Sequence, residues 1–298
     1  MNSRILVSGV SGPIGAALLP SLRTNGCSVV RLVRGAAVGD EQISWDPAVP
    51  LAPEAVSGFD AVIHLAGEGI FGRWTAAKKS KIRDSRVVGT FNLASALAQA
   101  KDKPNVFVCG SAIGYYGNRG DEVLSEESAP GAGFLAEVCQ DWEEATTPAV
   151  QADIRTAHIR TGVVLSPKGG ALGAMLLPFQ LGLGGRTGSG QQWMSWIDVR
   201  DMVGAIHHVL KNDLIQGPVN LVAPKPVRNA EFAKTLAGVL SRPAIFPLPA
   251  FAVKLAFGEM GEEVLLGSQR VEASKLIASG YPFRYRELRG SLESILKG

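Results

Sequence analysis

The segment Ile5-Leu-Val-Ser-Gly9-Val-Ser-Gly12-Pro-Ile-Gly15 sets three glycines at three-residue intervals behind a short apolar run. Where such a run is a buried strand and the residues beyond it open a helix, this spacing suits a dinucleotide. Gly9 permits a tight turn, and a side chain at Gly12 would obstruct a diphosphate approaching the backbone. Gly15 lets the helix pack hard against the strand. The helix N-terminus offers unpaired N–H groups to the anion, so Ser11, Pro13 and Ile14 join the glycines as expected cofactor contacts. A second apolar run, Ser28–Val33, ends at Arg34, where a domain selective for NAD usually carries an acid. A guanidinium pairs bidentately with a 2′-phosphate that a carboxylate would repel, so the expected cofactor is NADP(H).

These residues need a scaffold to hold them. Strands are expected at Arg4–Ser8, Ser28–Val33, Ala61–Leu65 and Val106–Cys109, with helices over Gly15–Asn25 and Thr75–Ala100. Continuous apolar strands separated by helices imply parallel pairing with both faces covered, which is the α/β, doubly wound parallel sheet. Beyond residue 165 the chain becomes glycine-rich, a composition suited to a lid. The expected division is a cofactor-binding domain over 1–165, to whose sheet later strands return, and a lid with helical extension over 166–298. In the second part, helices are expected at Val199–Lys211 (opened by Asp198), Asn229–Leu240 (with Asn229 as N-cap), Ala250–Leu266 and Glu287–Leu296. A short strand is expected at Pro218–Val222.

Composition excludes several classes. Of 298 residues, 46% are hydrophobic and 19% charged, which supports a sizeable core and rules out intrinsic disorder. No apolar run is long enough to span a membrane. The formal charge of +3 comes without a dense basic stripe, and Lys78, Lys79, Lys81 and Arg83 read as a solvated helix face, so no nucleic-acid partner is expected. Cys27, Cys109 and Cys139 cannot all pair, which points to reduced thiols in a cytoplasm. His64, His158, His207 and His208 show no metal-ligand spacing. A monomer or homodimer is the expected state.

Three features together resemble the extended short-chain dehydrogenase/reductase superfamily: the glycine turn, His64-Leu-Ala-Gly67 after the fourth strand, and Ser111 just after the fifth. The strings at 64–74, 82–90, 114–122, 134–143, 159–185, 188–201 and 217–234 resemble, more narrowly, its atypical epimerase-like branch, sometimes labelled cell-division inhibitors. The resemblance spans the chain and implies an NAD(P)-binding Rossmann fold with a smaller C-terminal substrate region. It also implies cofactor contacts at Leu65, Ala66, Gly67, Glu68, Arg86 and Ser111. In the superfamily at large, Ser, Tyr and Lys handle the proton while hydride moves to or from the nicotinamide. Here Tyr-x-x-x-Lys is missing: Leu135 and Cys139 hold those positions, and Arg86 replaces the helix Asn. The remaining catalytic candidates are Ser111, Tyr115 and Tyr116, with Glu68 as a candidate base. Trp193 and Trp196 are candidate substrate contacts on a polar lid. Two readings follow: an NADP-dependent oxidoreductase or epimerase acting on a small polar molecule with a non-standard proton donor, or a catalytically silent NADP-bound regulator linked to cell division.

Overall fold

The computed structural model of the chain describes residues 3–167 and 169–297. Met1, Asn2, Lys168 and Gly298, which fall within the two expected domains, lie outside the described residues. Seven strands form one sheet: β1 (Arg4–Ser8), β2 (Ser28–Val33), β3 (Gln42–Ser44), β4 (Ala61–His64), β5 (Val106–Ala112), β6 (Arg155–Thr161) and β7 (Gly217–Leu221). Every neighbouring pair is parallel, in the order β3-β2-β1-β4-β5-β6-β7. The order reverses direction at β1 and β4, and open sheets of this kind bind ligands beyond the carboxyl ends of the strands at such a switch.

Burial on both faces explains the unbroken apolar strands. Ile5, Val7, Val106 and Val108 pack under α1 (Pro13–Thr24), while Leu6, Phe107 and Cys109 pack under α2 (Ala76–Gln99). The helices α3 (Phe134–Glu144) and α4 (Thr147–Gln151) share the α2 face, through Trp142 and Ala149. α5 (Gly170–Gln180) follows the sheet's sixth strand, and α6 (Val199–Lys211) returns to the α1 face. Asp198 caps α6, its carboxylate accepting from the Arg200 N–H at 2.8 Å. A third core gathers Leu172, Phe179 and Trp196 against α7 (Asn229–Val239) and α10 (Leu288–Leu296). Between them lie α8 (Ala250–Phe257) and α9 (Ser274–Ala278). No helix among the described residues is long and apolar enough to cross a membrane.

Several expectations from the sequence need correction. The single helix expected over 250–266 is broken: Gly258 takes φ +58°, which ends α8, and Gly261–Leu265 forms a separate π turn. Asn229 is the first helical residue rather than the N-cap, which falls at Arg228. Its Oδ1 instead accepts from the Thr187 N–H at 2.7 Å, tying the lid to α7. Ser111 lies within β5, paired in register with Arg160 on β6, rather than on the loop beyond.

Candidate functional site

At the turn after β1 the structure separates the reasons for the three glycines. Gly9 has φ +74°, and a Cβ there would strike the backbone of Leu65 on the β4 loop. A Cβ on Gly15 would strike the Gly9 carbonyl and Val10 Cα. Gly12 differs: its dihedrals (φ −75°, ψ 164°) suit any residue, and an added Cβ would meet only the Gly9 oxygen, at an ordinary 3.5 Å. The protein itself therefore gives no steric reason for glycine at 12, whereas a diphosphate resting on the turn does. No side chain caps α1, and Pro13 stands in its first turn, so the N-terminal N–H groups are open to an anion. Ser11 is exposed on this turn. Arg34 is exposed on the bend after β2 with no ion pair among the described residues. These features fit a phosphorylated dinucleotide.

Beside the turn, a cleft of ≈ 360 Å³ opens between Ile14, Leu65, the end of β5, Thr161–Val164 and α3. Leu135, Val138, Cys139 and Trp142 face it from α3, one or two turns apart as helical spacing requires. The C-terminal region closes it with Glu263, Val264 and Gln269. Glu263 accepts from the N–H groups of Phe134 (2.8 Å) and Leu135 (3.0 Å), so a carboxylate 128 residues along the chain caps α3 in place of a local residue.

Ser111 lines the cleft and donates from Oγ to Glu143 Oε1 at 2.6 Å. Glu143 also receives Arg160 Nε and Nη2, each at 2.8 Å, in a bidentate pair. Burial works against the Arg160 charge, but the Glu143 carboxylate outweighs it and raises the guanidinium's pKa. Cys139 is buried, and desolvation pushes its thiol up to about 12, so it is neutral and no nucleophile at physiological pH. His64, fully buried with Nδ1 2.6 Å from Ser8 Oγ, is held neutral by desolvation, its pKa lowered to about 4.

The aromatic candidates are redistributed. Tyr116 is fully buried; its hydroxyl donates to Asn220 Oδ1 at 2.7 Å and accepts from Arg160 Nη1 at 3.0 Å. Desolvation pushes it up to about 12, and Tyr116 is not among the side chains lining the cleft. Tyr115 lies flat under the Arg160 guanidinium, 3.5 Å from ring centroid to Cζ, and is not among the side chains lining the cleft. Trp196 is wholly buried with its indole N–H on the Lys225 carbonyl, so the substrate role expected of it is withdrawn. Trp193 lines a smaller adjoining pocket, its N–H donating to Asp121 Oδ1 at 2.8 Å between Arg228 and Arg270. Glu68 pairs with Lys78 at 2.7 Å, a hydrogen bond that lowers its pKa and makes it a poor base. Lys79 and Arg83 likewise meet Glu259 and Asp141, so the basic run is largely neutralised. Among the described residues no three His, Cys, Asp or Glu side chains cluster to hold a metal.

Sequence reasoning missed Glu143 and Glu263. The first was within reach: Leu135, Cys139 and Glu143 recur every four residues, so a helix places them on one face. The second carried no local signal, because its partners are far away along the chain.

Residues 5–221 match the model of the NAD dependent epimerase/dehydratase family, and residues 248–295 match a domain of unknown function, DUF1731. The chain is 42% identical to epimerase family protein Mb2239 of Mycobacterium bovis, over 98% of this chain and 97% of that protein. It is 35% identical to epimerase family protein YfhF of Bacillus subtilis, over 98% and 97%. A crystal structure of human epimerase family protein SDR39U1 (isoform 2) with NADPH superposes with a TM-score of 0.91, at 35% identity, over 99% of both chains.

Proposed function

The chain belongs to the NAD dependent epimerase/dehydratase family, and from that premise we propose that it is an NADP(H)-dependent oxidoreductase or epimerase acting on a small molecule beside Ser111. One observation carries the cofactor part: glycine at 12 has no steric reason within the protein, on a turn whose helix N-terminus is uncapped. The human relative crystallised with NADPH supports the phosphorylated form, as does the exposed Arg34 beyond β2, which has no ion pair among the described residues. In this reading Gly9–Gly15 and Leu65–Glu68 follow the cofactor's diphosphate and ribose, and Arg34 meets its 2′-phosphate. NADP(H), when bound, supplies or accepts a hydride.

The chain's own part is to position the substrate and move one proton. Leu135 holds no proton, and the Cys139 thiol is too weak an acid to give one up. Two hydroxyl side chains line the cleft: Thr161 donates to the Ile159 carbonyl at 3.2 Å, whereas the Ser111 proton points to Glu143, which leaves the Ser111 lone pairs free to accept from a substrate hydroxyl. Glu143 then stands as the group that takes the Ser111 proton as the substrate hydroxyl loses its own. The tryptophans expected to contact a small polar substrate lend it less support, since Trp196 is buried and Trp193 is held by Asp121.

Titration with NADPH and NADH tests the cofactor. NADPH is expected to bind about tenfold or more tighter, and Arg34→Ala to remove the difference; equal affinity for the two in the unsubstituted protein refutes the NADP preference. Cofactor oxidation across carbonyl compounds and nucleotide sugars, repeated with Ser111→Ala and Tyr115→Phe, tests the chemistry, with loss expected only for Ser111→Ala. Tight NADPH binding without turnover on any of them favours the second reading, a silent NADP-bound regulator, which the apolar Leu135 and neutral Cys139 also suit.

A further inference from the structure

Arg86 has no acidic partner within ion-pair distance among the described residues, although it lines the cleft and is largely desolvated. Burial lowers its pKa, with the Cys139 thiol and Glu68 acting the other way, yet a guanidinium remains charged at neutral pH. A desolvated charge without a counter-ion is costly, so the way it is held calls for an account. Two neighbours press close to it. At Gly67 an added Cβ would come within 3.1 Å of Cζ and 3.2 Å of Nη2. The Trp142 indole has its centroid 5.0 Å from Cζ. Nη1 is spent on the carbonyls of Glu68 (2.9 Å) and Ile82 (3.1 Å), while Nε and Nη2 have no partner among the described residues. The guanidinium is thus held by two carbonyls and its close neighbours, with the Nε/Nη2 edge uncommitted, and that edge is the one that grips a planar oxyanion through two parallel hydrogen bonds.

Most of the cleft lining is apolar, with Ile70, Ile113, Leu135, Val138 and Val264 among it, and its uncharged polar side chains are Ser111, Thr161 and Gln269. The one carboxylate on the cleft wall, Glu263, is occupied by the N–H groups heading α3 and does not serve Arg86. We propose that the cleft takes an apolar molecule bearing a single carboxylate, and that Arg86 is the residue that recognises the carboxylate. The inference rests on the reading that this cleft is the substrate site of an NADP(H)-binding protein. A nucleoside-diphosphate sugar fits poorly, since its two phosphates would share one cation, Arg86, in a lining that is mostly apolar. The same donor edge would also suit a phosphate of the cofactor, and the experiment has to tell the two anions apart.

The probes are 2-naphthoate and its uncharged isostere 2-naphthamide, titrated calorimetrically into the protein with and without NADPH. Naphthoate is expected to bind about tenfold or more tighter than naphthamide, and Arg86→Met to abolish that preference while NADPH affinity changes less than about threefold. Gly67→Ala provides a variant that leaves Arg86 in place: its methyl pushes the guanidinium off its seat and is expected to weaken the preference several-fold without lowering the unfolding temperature. Equal binding of the two probes by the unsubstituted protein overturns the proposal. So does an Arg86→Met protein that loses about tenfold or more in NADPH affinity yet still prefers naphthoate, because the guanidinium then serves the cofactor. Should NADPH fail to bind at all, the functional reading falls, whereas a naphthoate preference in the cofactor-free protein, lost in Arg86→Met, still upholds the carboxylate site.

Discussion

At Gly9–Gly15 the backbone dictates residue type, since two of the three glycines are forced by nearby main-chain atoms and the third only by what the turn must hold. Along the cleft face of α3 no such constraint operates. Leu135, Cys139 and Trp142 are side chains that pack, and Glu143, one turn beyond Cys139, is turned to Ser111 and Arg160. Both regions border the same cavity, yet the turn can be read as a binding device from geometry alone, while α3 cannot be read as a catalytic device from the residue types usual in such folds. A binding turn is fixed by where atoms cannot go; proton chemistry is set by a few side chains that another hydroxyl and carboxylate can replace.

The largest effect is expected on the α3 side. Glu143→Gln leaves the Arg160 guanidinium, itself 3% exposed, without its carboxylate, and should lower unfolding free energy by about 3 kcal/mol. Urea denaturation of Glu143→Gln, Arg160→Met and the double variant measures it. The double variant should recover much of the loss, because removing both charges leaves no orphan. If Glu143→Gln is neutral for stability, the Ser111–Glu143–Arg160 group is not the buried, preorganised unit that distinguishes this side from the turn.

The turn should answer in binding rather than in stability. Gly12→Val is expected to weaken NADPH by about 100-fold, some 2.7 kcal/mol, with little change in Tm, since the new Cβ meets only one oxygen at 3.5 Å. Gly9→Val, by contrast, should destabilise the fold outright, because a side chain there needs φ +74° and drives into the Leu65 backbone. Calorimetric titration and thermal unfolding of the two variants separate the constraints. An unaltered NADPH affinity in Gly12→Val would mean that the turn merely folds the chain.

Much of this contrast was legible in the sequence. The glycine spacing, the apolar strands and the long α2 periodicity come from backbone rules that each segment obeys by itself. β3 escaped because Gln42–Ser44 is a short, polar edge strand with no pattern to betray it. Trp196 and Tyr116 misled because an aromatic on a lid or loop has the same letter whether it faces a ligand or a core; only the fold showed Trp196 inside the third core and Tyr116 on Asn220. Glu263 was beyond reach, since its role exists only once the C-terminal region has folded over the head of α3.

Acid should loosen both regions by a smaller amount. His64, which joins β4 to β1 through Ser8 below the turn, is kept neutral by burial, its pKa lowered from 6.5 to about 4. His158, near Glu143, is lowered in the same direction, again chiefly by burial. Below pH 6.5 the unfolded chain takes up protons that the folded chain refuses, so stability present above that pH is lost as it falls toward 4. By pH 5 the His64 share amounts to about 2 kcal/mol. Urea midpoints between pH 7.5 and 5 should fall accordingly, and His64→Gln should flatten the slope in that window. A profile unchanged by that substitution would place the acid sensitivity elsewhere, with His158 and the α3 side the next to examine.

The smallest expected signal concerns Cys139, the residue standing where a lysine would assist catalysis. Its thiol is pushed from 9.0 to about 12 by burial, with Glu143 adding to the rise and Arg86 opposing it. Thiolate, not thiol, attacks an alkylating agent, so three pH units reduce the reactive fraction about 1,000-fold. With iodoacetamide at pH 8, labelling should be confined to the half-buried Cys27, with Cys139 and the equally buried Cys109 reacting only after urea unfolds the chain. NADPH should change neither rate. If Cys139 is alkylated in the native protein as fast as Cys27, the α3 face holds an activated nucleophile after all, and the contrast with the glycine turn becomes one between binding and covalent chemistry.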